Sequence, residues 1–171
     1  MRISVDQLRN APTAYNYAIA VAANVSGFRL AKGAKPKLLS CKTGRWLWLK
    51  REIDFIDDAA WLMAVLEKEQ ISVSFDQAEK VWQATCPPNK YAGFPDETAA
   101  ASSCYKWAVI GSLLNRLGET IELPDHVYAV YQSEITAYDE RQKRYDEEEG
   151  DGPTWAEMRD MGAFDGIGYE K

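Results

Sequence analysis

Basic and aromatic side chains are concentrated between residues 29 and 51, where no acidic residue occurs. Cations can hold a phosphate while an indole ring stacks on a nucleobase, so this composition favours a nucleotide-type ligand. The residues predicted to bind it are Arg29, Lys35, Lys37, Lys42, Arg45, Trp46, Trp48 and Arg51. In a strand the two tryptophans would point to one face, and Leu47 and Leu49 to the other. Buried leucines would leave the tryptophans exposed to a ligand, whereas buried tryptophans would make the segment part of a packed sheet.

Acidic side chains dominate the other end of the chain, above all between Asp139 and Asp151. Residues 1–51 hold ten Lys or Arg and one acid, whereas residues 52–171 hold ten bases and twenty-five acids. An acidic surface can bind a basic partner or occupy a site meant for nucleic acid. The residues predicted to contact a partner are Asp139, Glu140, Asp146, Glu147, Glu148 and Glu149. The alternative is that the two oppositely charged parts of the chain pack together and neutralise each other.

Catalytic patterns are missing from the sequence. It contains no nucleophile-elbow motif, no glycine-rich phosphate loop and no HExxH motif. Asp54, Asp57 and Asp58 could supply carboxylates to a divalent ion, but no second motif adds ligands, and helix capping accounts for them. The single histidine, His126, follows Pro124 at a predicted helix start, where a solvent-facing role is the ordinary one and a general base the alternative. We therefore assign no catalytic residue, metal or cofactor, and favour binding over catalysis, with an enzyme built on a novel carboxylate site as the third alternative.

The elements that would position these residues follow from hydrophobic periodicity. Helices are predicted over residues 4–24, 54–69, 96–117 and 125–149. Strands are predicted over residues 37–41, 45–49, 71–75, 80–86 and 119–123. In the second helix the apolar stripe is predicted to consist of Phe55, Ala59, Leu62, Met63 and Leu66. Pro12 conflicts with the interior of the first helix, so this helix either starts near Pro12 or kinks there.

Together these elements predict an α+β fold. A small, mostly antiparallel sheet is flanked by helices as an α-β-α sandwich, with a C-terminal helical extension. Residues 1–125 are predicted to form the core domain, and residues 126–171 an acidic helix followed by a flexible tail.

The remaining composition predicts a cytoplasmic location. No apolar run reaches the roughly 18 residues of a membrane span, and the first residues lack the pattern of a signal peptide. The three cysteines, Cys41, Cys86 and Cys104, are odd in number and widely spaced, which is typical of reduced thiols.

The middle of the chain resembles a family of tailed phages. The run Asp54–Lys68 contains Trp61 and is followed by the strand Ile71–Phe75, the strand around Trp82 and an alanine-rich segment from Glu97. This order of a Trp-bearing helix, a two-stranded hairpin and an alanine-rich helix is similar to the phage ABA sandwich domain. The resemblance implies a sheet flanked by helices and supplies no catalytic residue.

A second phage family, the NinX-like family, shares features with both ends of the same region. In Leu117–Asp125 a Leu-Gly-Glu turn leads into a hydrophobic–Glu–hydrophobic–Pro–acid segment, and the opening helix contains Tyr15–Ala20. The two likenesses together extend over roughly residues 3–125. They imply an accessory phage protein, and they leave the basic segment 29–51 and everything after about residue 126 without a counterpart.

Two functions are compatible with these observations. The first is a non-enzymatic phage accessory protein that acts in the infected cell by binding a host protein, with a host-defence component as one candidate. The second is a protein that binds a small nucleotide-type ligand through residues 29–51. Self-association through the C-terminal helix is a further possibility, and no membrane contact is expected.

Overall fold

The computed structural model describes residues 1–31, 37–40 and 52–150. In chain order the elements are β1 (Arg2–Ser4), α1 (Pro12–Ala22), β2 (Phe28–Ala31), β3 (Lys37–Ser40), α2 (Ala59–Glu69), β4 (Ser72–Asp76), β5 (Val81–Cys86), β6 (Thr98–Ser102), α3 (Tyr105–Leu114), β7 (Thr120–Glu122) and α4 (Asp125–Gly150). Short 3₁₀ helices cover Asp6–Asn10, Lys90–Ala92 and Asn115–Leu117. The predicted α+β class is confirmed. The predicted strand 45–49 and the predicted tail beyond residue 150 lie outside the described residues.

The described strands form small sheets in which every strand pair is antiparallel. β2 pairs with β3, and β4, β5 and β6 lie side by side in that order. β1 pairs with β7, so that Ile3 lies opposite Ile121. Where the sequence predicts one sheet, the pairing of the described strands divides it into three.

The N-terminal strand is held by residues far along the chain. The amino group of Met1 donates to the carbonyl oxygen of Leu123 at 3.0 Å, and the Leu123 N–H donates back to the Met1 carbonyl at 2.9 Å. Both Ile3 and Ile121 are buried, so the β1–β7 pair closes one side of the core.

α1 is buried on most of its surface and begins at Pro12. Proline is well tolerated at the first helical position, because its missing N–H has no partner within the helix anyway. Of the two alternatives that Pro12 left open, a helix start near Pro12 is confirmed. The first part of the predicted range 4–24 is wrong, because β1 and a 3₁₀ helix lie there. The side chains of α1 that are buried are small or apolar with one exception: Ala14, Tyr15, Asn16, Ala18, Ile19, Ala20 and Ala22.

The exception, Asn16, is hydrogen-bonded through both ends of its amide. Its Oδ1 accepts the backbone N–H of Phe55 at 2.8 Å, and its Nδ2 donates to Asp54 Oδ1 at 3.3 Å. A buried amide is tolerated when its donors and acceptors are paired, so Asn16 joins α1 to the segment before α2.

α2 starts later than the sequence predicts and faces the core differently. Asp58 is its N-cap, since its Oδ1 accepts the N–H of Ala60 at 2.9 Å. Asp54 instead accepts the N–H groups of Ile56 and Asp57 and shapes the turn before the helix. The predicted apolar stripe is wrong for Met63, which is 57% exposed, and for Ala59, which is also exposed. The buried side chains are Trp61, Leu62, Val65 and Glu69.

The predicted helix over residues 96–117 is wrong at its beginning. Residues 98–102 form β6, and α3 begins only at Tyr105. Alanine favours a helix by intrinsic propensity, but the alanine-rich residues 98–102 pair with β5 over five positions. The small side chains also let α3 approach the strand, because a Cβ placed on Gly111 would lie 2.9 Å from the Cβ of Ala100. α3 itself ends at Leu114, and a 3₁₀ helix continues over Asn115–Leu117 to the predicted stop at Gly118, which has a positive φ of 73°.

By its contacts the chain divides into two compact units, Met1–Ile135 and Thr136–Lys171. α4 starts in the first unit and continues into the second. None of the helices in the described part of the chain is both long enough and apolar enough to cross a membrane.

Gly111→Ala should destabilise the first unit, because the new methyl group would press on Ala100. We expect the free energy of unfolding to fall by about 1–3 kcal/mol through overpacking. This loss exceeds the stability gained from the higher helix propensity of alanine. Urea unfolding followed by circular dichroism measures this. The double variant Gly111→Ala/Ala100→Gly removes the opposing methyl group and should recover most of the loss. A single variant as stable as the wild type would contradict the close approach.

Candidate functional site

Four partly exposed side chains from four elements form a continuous surface, which we call the aromatic strip: Met63, Phe75, Trp82 and Tyr105. Phe75 on β4 lies directly opposite Trp82 on β5, so both point to the same face of the sheet. Their ring centroids are 5.1 Å apart, and those of Trp82 and Tyr105 are 5.9 Å apart. The Tyr105 hydroxyl lies 3.3 Å from Met63 Sδ on α2. Met63 is 57% and Phe75 46% exposed, so the strip presents apolar area to solvent.

A shallow groove of about 640 Å³ adjoins the aromatic strip at Met63. Its lining is apolar apart from one carboxylate: Ala60, Met63, Ala64, Leu66, Glu67 and Ile71. Glu67 contributes the single polar side chain of this lining, whereas small-ligand sites usually have several polar groups that orient the ligand. An open apolar surface of this kind is more typical of a contact with another macromolecule.

The sequence by itself does not point to the aromatic strip. The predicted hairpin over residues 71–86 places Phe75 near Trp82, which is the one signal available. Tyr105 falls inside a segment predicted as continuous helix, and Met63 is predicted to be buried. Only the start of α3 at Tyr105 and the orientation of α2 bring these two side chains together.

The predicted nucleotide-binding residues fall mostly outside the described part of the chain. Arg29 on β2 is exposed, and Lys37 on β3 is exposed and paired with Glu52. The register of β2 and β3 places Arg29 and Lys37 on the same face of their hairpin. Lys35, Lys42, Arg45, Trp46, Trp48 and Arg51 lie outside the described residues. Nucleotide binding by this segment therefore stays a prediction.

The predicted partner-binding acids belong to α4. Asp139 and Glu140 are exposed, and the backbone of residues 146–149 is helical, whereas the side chains of these four lie outside the described part. Arg141 and Arg144 donate from Nε to backbone carbonyls one turn back, at 3.1 and 3.4 Å. The described side chains from Asp139 to Tyr145 are charged or polar apart from the exposed aromatic ring of Tyr145.

The isolated candidate catalytic groups are not gathered into a site. His126 is exposed in the first turn of α4. The Cys86 thiol lies 3.4 Å from Ser112 Oγ, and burial raises its pKa, so it stays protonated and is a poor nucleophile. Cys104 is exposed, and Cys41 lies outside the described residues. Within the described ranges no group of three or more His, Cys, Asp or Glu could hold a metal ion.

A buried ion pair holds the ends of several elements together. Arg116 Nη1 lies 2.7 Å from Glu69 Oε2, and the two side chains are 0% and 2% exposed. Asn89 Nδ2 donates to the same oxygen at 3.2 Å, and Lys68 pairs with the other at 3.1 Å. Burial by itself raises the pKa of Glu69, but the hydrogen bonds from these three partners outweigh it and hold the pKa below the ordinary value. The cluster therefore has a structural role.

Comparison with protein-family models, with curated proteins and with solved structures finds no match for this chain. The resemblance to the two tailed-phage families stays a prediction. Function therefore has to be inferred from the charges, exposure and contacts of the described residues.

Glu69→Gln should lower stability by about 3–5 kcal/mol at neutral pH, because it leaves the buried Arg116 charge without its partner. Because the pKa of Glu69 is lower in the folded protein than its ordinary value of 4.5, the ionised carboxylate stabilises the fold at pH values above 4.5. This stabilisation is lost as the pH falls through the lower pKa of the folded state. Urea unfolding of both proteins between neutral and acidic pH should show the gap narrowing as the pH falls. Glu67→Gln, an exposed neighbour on α2, serves as the control and should change little. A gap that stays constant with pH would contradict the assignment.

Proposed function

We propose that this protein is a non-enzymatic binding protein that contacts another protein through the second half of α4, residues 136–150. In the setting suggested by the phage resemblance it acts in the cytoplasm of an infected cell, and the partner is a host protein such as a component of host defence. The observation that supports this proposal is a predominantly acidic stretch of helix whose side chains from Asp139 to Tyr145 are all exposed.

The charge of this stretch favours a basic partner. Residues 136–150 contain six acids and three bases, and every side chain from Asp139 to Tyr145 is exposed. A helix that is polar all round buries nothing of its own and is kept for solvent or for a partner. Four consecutive acids at 146–149 also bring like charges together within one turn of the helix, where they repel each other. Basic side chains of a partner would relieve this unfavourable concentration of charge.

The first half of α4 has a different role. The Glu134 carboxylate accepts the backbone N–H of Thr13 at 3.1 and 3.2 Å, and that of Ala14 at 3.4 Å. These donors belong to the first turn of α1, whose N–H groups lack partners within the helix and whose dipole favours a negative charge. Ile135 packs against the core. The contacts through which α4 stabilises the first unit therefore include Glu134 and Ile135, just before residue 136.

Glu134→Ala should lower the free energy of unfolding by about 1 kcal/mol, as removal of a helix cap usually does. Glu140→Ala on the same helix removes an exposed carboxylate and should leave stability within about 0.5 kcal/mol of the wild type. Thermal and urea unfolding of the two variants provide the comparison. Equal losses would mean that Glu134 does not cap α1.

Photo-crosslinking in bacterial cells tests the partner. A benzophenone amino acid replaces Tyr145, which is 61% exposed in α4, and in a second protein it replaces Tyr91, which is fully exposed in the first unit. We expect an adduct of defined mass from position 145 and none from position 91, because the partner contacts only the acidic helix. Mass spectrometry of the adduct identifies the partner.

Charge variants of the full chain provide the control. Neutralising Asp146, Glu147, Glu148 and Glu149 should abolish the adduct. Neutralising four exposed acids of the first unit, Glu79, Asp96, Glu97 and Glu119, should not. The proposal would be overturned if the adduct still formed after the acids at 146–149 were neutralised. It would also be overturned if position 145 gave no adduct in any of a panel of bacterial hosts. An adduct of twice the mass of the chain would instead indicate self-association through α4.

A further inference from the structure

α2 presents two parallel rows of side chains on its exposed side. Ala60 and Ala64 form a low row, and Met63 and Glu67 form a raised row beside it. The members of each row are four residues apart and so lie one helical turn from each other. Helices pack by placing a raised row of one into a low row of the other, with axes about 8–10 Å apart. Since the low row carries only methyl groups, another helix can approach α2 closely at this point.

The two rows belong to a larger apolar surface. Leu66 and Ile71 complete the groove, and Met63 connects it to the aromatic strip. Methionine and aromatic side chains are frequent where proteins bind partner helices, because methionine adapts its shape and aromatic rings offer a large contact area.

The charge beside the groove indicates the chemistry of the occupant. Glu67 is exposed, and its carboxylate forms no hydrogen bond or ion pair with any described residue. The neighbouring Lys68 is engaged elsewhere, since its Nζ donates to the carbonyls of Ala23 and Asn24 at 2.8 and 2.6 Å and pairs with Glu69. Glu67 is therefore available to a cation from outside the described part of the chain.

A second copy of this chain fits the face poorly. In an antiparallel α2–α2 pair centred between Met63 and Ala64, Ala60 of one copy would oppose Glu67 of the other, which leaves the carboxylate without a cation. Each copy also has a net charge of −6, so two copies repel each other.

We propose that the exposed face of α2, together with the aromatic strip, is a docking site for an amphipathic helix of another protein. The apolar stripe of that helix fills the groove over Ala60 and Ala64, and one of its Lys or Arg side chains pairs with Glu67. This inference does not depend on the proposed role of the acidic half of α4, because all of its residues lie in the first unit.

The probe is a displayed library of helical peptides with a constant apolar stripe and randomised flanking positions, selected against the full-length protein. We expect enriched peptides to carry Lys or Arg next to one end of the stripe. Fluorescence anisotropy then measures the affinity of one enriched peptide for the wild type and for two variants. Ala64→Arg fills the groove and should weaken binding at least about tenfold. Ala129→Arg changes an equally exposed helical alanine on α4 and should leave binding unchanged.

A charge reversal makes the test specific. Glu67→Lys should weaken binding of the enriched peptide. It should strengthen binding of a peptide in which the basic residue is replaced by Glu. Circular dichroism melts establish that each variant is folded, and neutralising the acids at 146–149 should leave peptide binding intact.

Three results would overturn the proposal. The first is equal binding by the Ala64→Arg and Ala129→Arg proteins. The second is enrichment of peptides that lack a basic residue, or an affinity that does not respond to Glu67→Lys. The third is a wild-type dimer in light scattering that Ala64→Arg converts to a monomer, because the occupant would then be a second copy of this chain.

Discussion

One buried cation joins the ends of three segments. The guanidinium of Arg116 donates to the Ala22 carbonyl at 3.1 Å, to the Glu69 carboxylate at 2.7 Å and to the Pro87 carbonyl at 2.9 Å. These acceptors lie at the end of α1, at the end of α2 and directly after β5. A buried charge costs several kcal/mol unless it is paired, so the three segments must keep their places around Arg116 for the fold to remain stable.

The same interaction determines which side of α2 faces solvent. Glu69 must point inward to reach Arg116, and Leu62 and Val65, which lie on the same side of the helix, point inward with it. Met63 and Glu67 are then left on the outer side. The apolar face proposed as a docking site thus lies on the side of α2 away from the ion pair and the buried side chains.

Stabilisation and recognition are separated along α4 as well. Glu134 satisfies the start of α1, whereas the exposed residues after it make few contacts that a partner would have to break. The two proposed surfaces differ in character, since one is apolar with the exposed carboxylate of Glu67 beside it and the other is predominantly acidic. Screening by salt should therefore affect the acidic helix more strongly than the groove.

The sequence by itself determined the features that depend on neighbouring residues. The stop at Gly118, the hairpin formed by β4 and β5, and the long helix α4 follow from local backbone preferences and from the period of the apolar residues. A helix start near Pro12 was one of two alternatives that the sequence allowed. Only the tertiary structure decided that the alanines of 98–102 form a strand and that α2 turns Met63 outward. The physical reason is that both outcomes depend on partners distant in sequence: α3 packs its glycine against Ala100, and Glu69 meets a cation 47 residues further along the chain.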